Sequence, residues 1–211
     1  MKRKKGILIA FEGGEGAGKS TQIRRLVAHL ERNRVSHLLT RQPGGTRIGK
    51  SIRGLLLHKD GVKMNDRAEL LLYEADRAQH VEEVVRPALK KGVVVISDRF
   101  ADSSTVYQGI CRGLGHREVE RLNQFATAGL RPDLVIVLDI PPGLRKARLK
   151  SRGRRLDRME REKAVFHGRV RRGFLWLAKN NSGRTKVLDG TKPANVLSAE
   201  ISALVDNLRR G

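Results

Sequence analysis

A chain of 211 residues, 39% hydrophobic and only 4% aromatic, is large enough for one α/β domain over residues 1–211 and leaves little for a second. No apolar run approaches the roughly 20 residues that span a bilayer, which argues against a membrane protein, and the single cysteine, Cys111, excludes an internal disulfide and a cysteine-built metal site. Lysine and arginine number 44 against 22 acidic residues; this charge of +22 suits a nucleic-acid binder, but it is spread along the chain and stacking aromatics are scarce, so only weak, nonspecific polyanion association is expected.

The basic start, Met1 to Lys5, is not followed by a secretory apolar segment, because Glu12 and the glycines after it interrupt the run. A cytoplasmic, reducing setting is therefore expected. Ile7-Leu8-Ile9-Ala10-Phe11 reads as a buried strand. Beyond a glycine-rich turn, Ile23, Leu26, Val27 and Leu30 repeat with helical spacing. His37 to Thr40 is a weaker strand candidate, and Asn65 to Arg86 reads as one long helix, with Pro87 kinking it or starting another. Val93 to Ile96 is a second clear strand. Val119, Leu122 and Ala126 mark a helix, with Gly129 placed for its C-terminal cap.

Leu134 to Leu138 is a third clear strand, and Lys186 to Leu188 a further weak one. Between them, Arg145 to Arg172 is dominated by arginine and lysine. Pro193 opens a last helix with Leu197, Ile201, Leu204, Val205 and Leu208 on one face. Continuous rather than alternating apolar runs suit strands covered on both faces. The expectation is a doubly wound parallel sheet of about five strands flanked by helices, the P-loop NTPase architecture.

Gly13-Gly14-Glu15-Gly16-Ala17-Gly18-Lys19-Ser20 matches G-x-x-x-x-G-K-[ST], directly after a strand and before a helix. Glycines let successive backbone N–H groups point at phosphate oxygens, and the helix N-terminus adds partial positive charge. Gly13 to Thr21 is the expected ATP-binding segment, with Lys19 reaching the β- and γ-phosphates and Ser20 ligating Mg²⁺. Asp98, at the end of the second clear strand, is placed to hold the same ion, and Arg99 to face the bridged phosphates. A GTPase would carry an N-K-x-D base-reading element, which is missing. An oligomeric ATPase would end its acidic strand in adjacent acids, whereas Asp98 is followed by arginine.

Further segments complete the pattern: Arg41-Gln42-Pro43-Gly44-Gly45-Thr46, Ile52-Arg53, Leu72-Tyr73-Glu74-Ala75-Asp76-Arg77-Ala78-Gln79-His80, Asp98-Arg99-Phe100, Asp102-Ser103-Ser104, Tyr107-Gln108-Gly109 and Leu156-Asp157-Arg158-Met159-Glu160. In this order and at this spacing they resemble the thymidylate kinase family, in its bacterial branch, along nearly the whole chain. The resemblance implies transfer of the γ-phosphate of ATP to dTMP, in the cytoplasm, by a homodimer. It places Tyr73 against thymine, Arg77 on a thymine carbonyl, and Ser104 and Gln108 at the other polar edge of the base. Tyr107 would pack on the sugar and select deoxyribose. Arg53 and Arg99 would hold the acceptor phosphate, and Glu15 would lie near the sugar hydroxyl and the metal-bound waters. Glu12 and Pro43 complete the expected substrate contacts.

The branch with Gly16 in its phosphate loop resembles enzymes that supply transition-state arginine from a lid, here at about residues 143–160. Arg152, Arg154, Arg155 and Arg158 are the candidates. There are departures from the family pattern: Gln42 replaces a glutamate, Phe100 a tyrosine, and Val106 a common alanine. Cys111 and the six histidines form no ligand-like constellation. A kinase for another nucleotide or nucleoside shares this architecture, and a nucleic-acid-binding protein on an inert P-loop fold is the alternative from a different class.

Overall fold

The computed structural model describes residues 6–57, 64–151 and 158–210. Five strands form one parallel sheet: β1 (Ile7–Glu12), β2 (His37–Arg41), β3 (Val94–Asp98), β4 (Leu134–Asp139) and β5 (Thr185–Asp189). Their order is β2-β3-β1-β4-β5, so the strand that feeds the glycine-rich loop is central. Leu8 pairs in register with Val95, and Ile9 with Leu134 as well as Ile96.

Helix α1 (Lys19–Arg32) follows β1, and α2 (Arg47–Leu57) and α3 (Asp66–His80) follow β2. A π-helical turn at Val81–Val85 leads into α4 (Arg86–Lys90) and β3. Next come α5 (Ala101–Ser104), a π-helical segment at Thr105–Cys111, and α6 (His116–Ala126), before β4. Helices α7 (Pro142–Lys150) and α8 (Ala164–Asn180) separate β4 from β5, and α9 (Ala194–Arg210) follows.

The pleat of β1 divides the core in two. Ile9 and Phe11 join Ile23, Leu26, Leu197 and Ile201 under α1 and α9. Leu8 and Ala10 join Val81, Val85, Phe166 and Phe174 on the opposite face, under the long helical run and α8. The central strands β1, β3 and β4 are thus buried on both sides, as their unbroken apolar runs require, whereas the edge strands β2 and β5 leave Leu39 and Val187 exposed. Phe174 is 2% exposed, and its truncation to alanine would cost about 3–5 kcal/mol.

The long helix expected from Asn65 is altered where Pro87 approaches. Asn65 caps α3 by accepting from the Arg67 amide at 2.9 Å. At the other end, the Arg86 amide donates back to Val81 O, five residues earlier. The π turn lets the chain pass a residue with no N–H to give, and Pro87 then lies in the first turn of α4. The carboxyl ends of β1, β2 and β3 open onto one edge, where this topology places ligands.

Candidate active site

The phosphate loop is shaped by contacts only glycine permits. Gly13 has φ +120°, and a Cβ there would lie 2.5 Å from Leu138 O. Gly18, at φ +97°, turns the chain into α1, whose first amides face the opening. Lys19 is folded back on the loop, with Nζ donating to Gly13 O at 3.0 Å and Gly14 O at 3.1 Å. Burial and the neighbouring Arg99 push its pKa down to about 8, against the pull of Asp98 and Glu15.

Asp98 stands at the tip of β3 with its Oδ1 buried and unpartnered. It lines a cavity of about 300 Å³ together with Lys19 and the exposed Ser20 hydroxyl. An orphaned carboxylate oxygen beside a hydroxyl is a hard-oxygen donor set that fits Mg²⁺, an ion usually held by one or two protein groups plus phosphates.

Arg99 occupies the left-handed region at φ +72°, which costs a non-glycine residue about 1 kcal/mol or more. That turn aims its guanidinium at Glu15 Oε1 (2.7 Å), Gly13 O (3.1 Å) and Ser103 Oγ (3.2 Å). Glu15 Oε1 also accepts from the Tyr107 hydroxyl at 2.8 Å. Burial alone would raise Glu15, but Arg99 and Lys19 bring its pKa down to about 2. Glu12 is placed differently from the sequence-based expectation of a substrate contact. It is wholly buried beneath Arg99 and accepts from the Phe100 amide (2.8 Å), the Ser103 amide (3.2 Å) and Ser103 Oγ (2.6 Å). It anchors the start of α5 and does not line the cavity.

The acceptor end of the same cavity is lined by Pro43, Arg53, Tyr73, Arg77, Ser104, Tyr107 and Gln108, all expected from sequence. Arg77 is 2% exposed, and its donors all meet protein. Nε donates to Gln42 Oε1 at 3.1 Å, Nη1 to Glu74 and Asn123 at 2.6 and 2.8 Å, and Nη2 to Ser104 Oγ and Phe100 O at 3.0 and 3.3 Å. Gln108 donates to Glu69 at 2.7 Å, and Arg53 to Pro43 O at 2.8 Å. Tyr107 is set edge-on to Phe174 and tilted on Phe166, each at 6.1 Å between centroids.

Gln42, a departure from the family pattern, has a local logic. Its oxygen accepts from Arg77, so its amide nitrogen donates to His80 Nδ1 at 2.8 Å. The ring proton is thereby placed on Nε2, 2.6 Å from Thr40 Oγ1. Burial, then Arg77, holds His80 down at about 4, and the neutral amide and neutral ring suit each other.

The lid arginines divide. Arg152, Arg154 and Arg155 lie outside the described residues. Arg158 is turned away from the phosphate loop: it donates to Leu56 O at 2.8 Å and pairs with the buried Glu69 at 2.5 Å. Sequence reasoning passed over Glu69, Asn123 and Arg148. Glu69 shares a helix face with Tyr73 and Arg77 at i, i+4 and i+8, a polar stripe that pointed to it. Asn123 stands between Val119 and Ala126 on an apolar stripe, the usual mark of a buried polar tie. Arg148 bridges Gly16 O (3.4 Å) and Gly190 O (3.1 Å), a contact across the fold that no local pattern announces.

A model of the thymidylate kinase family matches residues 11–201. The thymidylate kinase of Clavibacter sepedonicus is 47% identical over 198 residues, covering 94% of this chain and 93% of its own. That of Carboxydothermus hydrogenoformans is 46% identical over 204 residues, covering 97% and 98%. That of a Geobacillus species is 43% identical over 206 residues, with 97% and 98% covered.

Proposed function

This chain belongs to the thymidylate kinase family, and from that membership we propose that it transfers the γ-phosphoryl group of ATP to dTMP, giving dTDP and ADP on the route to dTTP. The observation that carries the reading is a single cavity in which Lys19 and Ser20 of the phosphate loop face Tyr73, Arg77, Ser104 and Gln108. Donor and acceptor nucleotides entering from its two ends meet at Arg99.

Thymine lies against the Tyr73 ring, an apolar face that suits a flat base. Gln108 spends its amide N–H on Glu69 and keeps its carbonyl oxygen for the ring N–H of the base. Arg77 reaches a thymine carbonyl by turning Nη2 from Phe100 O, its longest bond at 3.3 Å. A cytosine amino group at that place could accept nothing. The Tyr107 ring, held by Phe166 and Phe174, would pack against the sugar, where a ribose 2′-hydroxyl would crowd it.

Transfer is direct and in line, with no covalent enzyme intermediate. The acceptor phosphate is already anionic at neutral pH, so no general base is required. Lys19, Arg53 and Arg99 hold two polyanions together and cancel their repulsion, and arginine's planar fork suits the acceptor phosphate. Ser20 and Asp98 would hold Mg²⁺, which neutralises charge at the β- and γ-oxygens when bound. The lid expected at about residues 143–160 within the single domain would exclude water and supply an arginine to the transferred phosphoryl group. Leu55, Leu71 and Phe125 are 60%, 58% and 85% exposed on α2, α3 and α6, and pairing with a second copy, which family membership suggests, would have to cover such residues. The reaction belongs in the cytoplasm, where the nucleotides are made.

The test is ADP release with dTMP, thymidine, UMP, CMP and GMP as acceptors. The expected result is a clear preference for dTMP. A higher rate with another acceptor, or none with any, would overturn the reading.

A further inference from the structure

Five buried side-chain atoms without a hydrogen-bond partner gather in one place: Glu15 Oε2, Arg145 Nε and Nη2, and both ring nitrogens of His167. They border a cavity of about 420 Å³ behind the phosphate loop, between the end of β4, α7 and α8. Buried polar atoms are rarely left unpaired, so such a concentration marks a place where water, a ligand or a small side-chain movement completes the bonding. Glu15 Oε1 is taken by Arg99 and Tyr107, which leaves Oε2 facing His167 Nδ1 at 3.6 Å. A movement of a few tenths of an ångström would turn that approach into a hydrogen bond.

His167 is 7% exposed and stands edge-on to Phe166, with ring centroids 5.8 Å apart. The charged groups around it are Arg145 from α7, Glu15 from the loop and Glu162 from the turn before α8, and the Glu160 main chain lies within hydrogen-bonding reach of the ring. Burial and then Arg145 hold the ring below its ordinary pKa. At neutral pH it is thus an uncharged imidazole whose single N–H has two acceptors within reach, the Glu160 main chain and Glu15 Oε2.

Arg99 spends an Nη2 N–H on Glu15 at 2.7 Å, a donor that an acceptor phosphate would compete for. When the phosphate draws Arg99 away, the buried carboxylate loses its strongest partner and needs another donor. We propose that His167 is a positioning residue for Glu15, its Nδ1–H closing onto Oε2 as Arg99 turns to the acceptor phosphate and so keeping the carboxylate aimed at the substrate. The inference rests on the dTMP kinase reading of the site. Glu15 is the group that touches substrate, and His167 acts only through it.

A double-mutant cycle of His167→Phe and Glu15→Gln tests this, read as kcat/KM for dTMP. His167→Phe is expected to lower it about tenfold in the natural background and less than about twofold once Glu15 is glutamine. His167→Gln, which retains an N–H donor, should recover most of the loss. An equal loss in both backgrounds, or no loss at all, overturns the proposal. A second measurement does not use catalysis: the His167 ring titration followed by NMR. Glu15→Gln removes the carboxylate that favours the imidazolium and should lower the apparent pKa further, by about half a unit or more. An unmoved titration overturns the contact. A wild-type enzyme inactive on dTMP whose His167 titration still moves with Glu15→Gln would sink the functional reading and support the contact.

Discussion

At the acceptor end of the cavity, Arg77 directs its donors at five protein acceptors, and Gln42, His80, Ser104, Asn123 and Gln108 are each hydrogen-bonded. At the phosphate end, Asp98 Oδ1 and Glu15 Oε2 are buried and unpartnered, Lys19 is held at about 8, and Arg99 is in a left-handed conformation. In the first arrangement the Arg77 guanidinium is fully paired, although Glu74 Oε2 and Asp76 Oδ2 close by are buried without a partner; on the proposed function this network fixes shape and reads a neutral base. The second gathers cations beside unpartnered carboxylate oxygens, which on the proposed function suits a site that must stabilise charge as phosphorus changes hands. On the proposed function, selectivity within one pocket rests on the network around Arg77 and rate on the charged groups around the phosphate loop.

The largest effect should come from the phosphate end. Lys19→Ala should lower kcat by about 10²–10³-fold or more, measured by ADP release. Its melting temperature should hardly move, because Lys19 bonds only to its own loop. A melt lowered by many degrees would mean that this lysine is structural and would erase the contrast. The acceptor end should behave in the opposite way. Arg77→Met leaves Glu74 buried and unpaired, and should cost about 3–5 kcal/mol in urea unfolding, with a fall in Tm of roughly 10 °C.

A third test concerns pH. His80 has a folded pKa of about 4 against an ordinary 6.5, so on acidification the unfolded chain takes up its proton first. Its contribution to stability is therefore whole above pH 6.5 and is lost as pH falls toward 4. Between pH 7 and pH 5 the loss should be about 2 kcal/mol. Glu12, raised to about 7 chiefly by burial, changes stability in the opposite direction over this range, so the comparison is between the natural chain and His80→Asn. Urea unfolding at the two pH values should show the variant lacking this increment; equal slopes would refute the buried neutral histidine. The smallest effect is expected from Gln42→Glu. It sets a carboxylate between Arg77 and His80, and should shift the KM for dTMP by no more than about fivefold with kcat nearly unchanged. A hundredfold change would mean that the acceptor network tolerates no added charge.

Much of this was legible along the chain. The apolar runs at Ile7–Phe11, Val93–Ile96 and Leu134–Leu138 announced central strands because both faces of a parallel sheet are covered. The glycine-rich loop announced itself because the backbone geometry that cradles phosphate needs glycine at defined places. Tyr73 and Arg77 were legible as neighbours because a helix sets i and i+4 side by side. The fate of Arg158 was not, since its partners Leu56 and Glu69 lie 102 and 89 residues away. Nor was the anchoring role of Glu12, whose burial depends on α5 closing over it.

By itself the sequence determined the order of the strands, the phosphate loop and the helix face that carries Tyr73 and Arg77. These follow from local periodicity and backbone conformation, which act over a few residues. Tertiary structure alone decided which charges are buried, which are paired and which are left waiting: Arg99 against Glu15, Gln42 between Arg77 and His80, His167 behind the loop. Desolvation and Coulomb interactions depend on distances through space, and those exist only once remote segments have packed together.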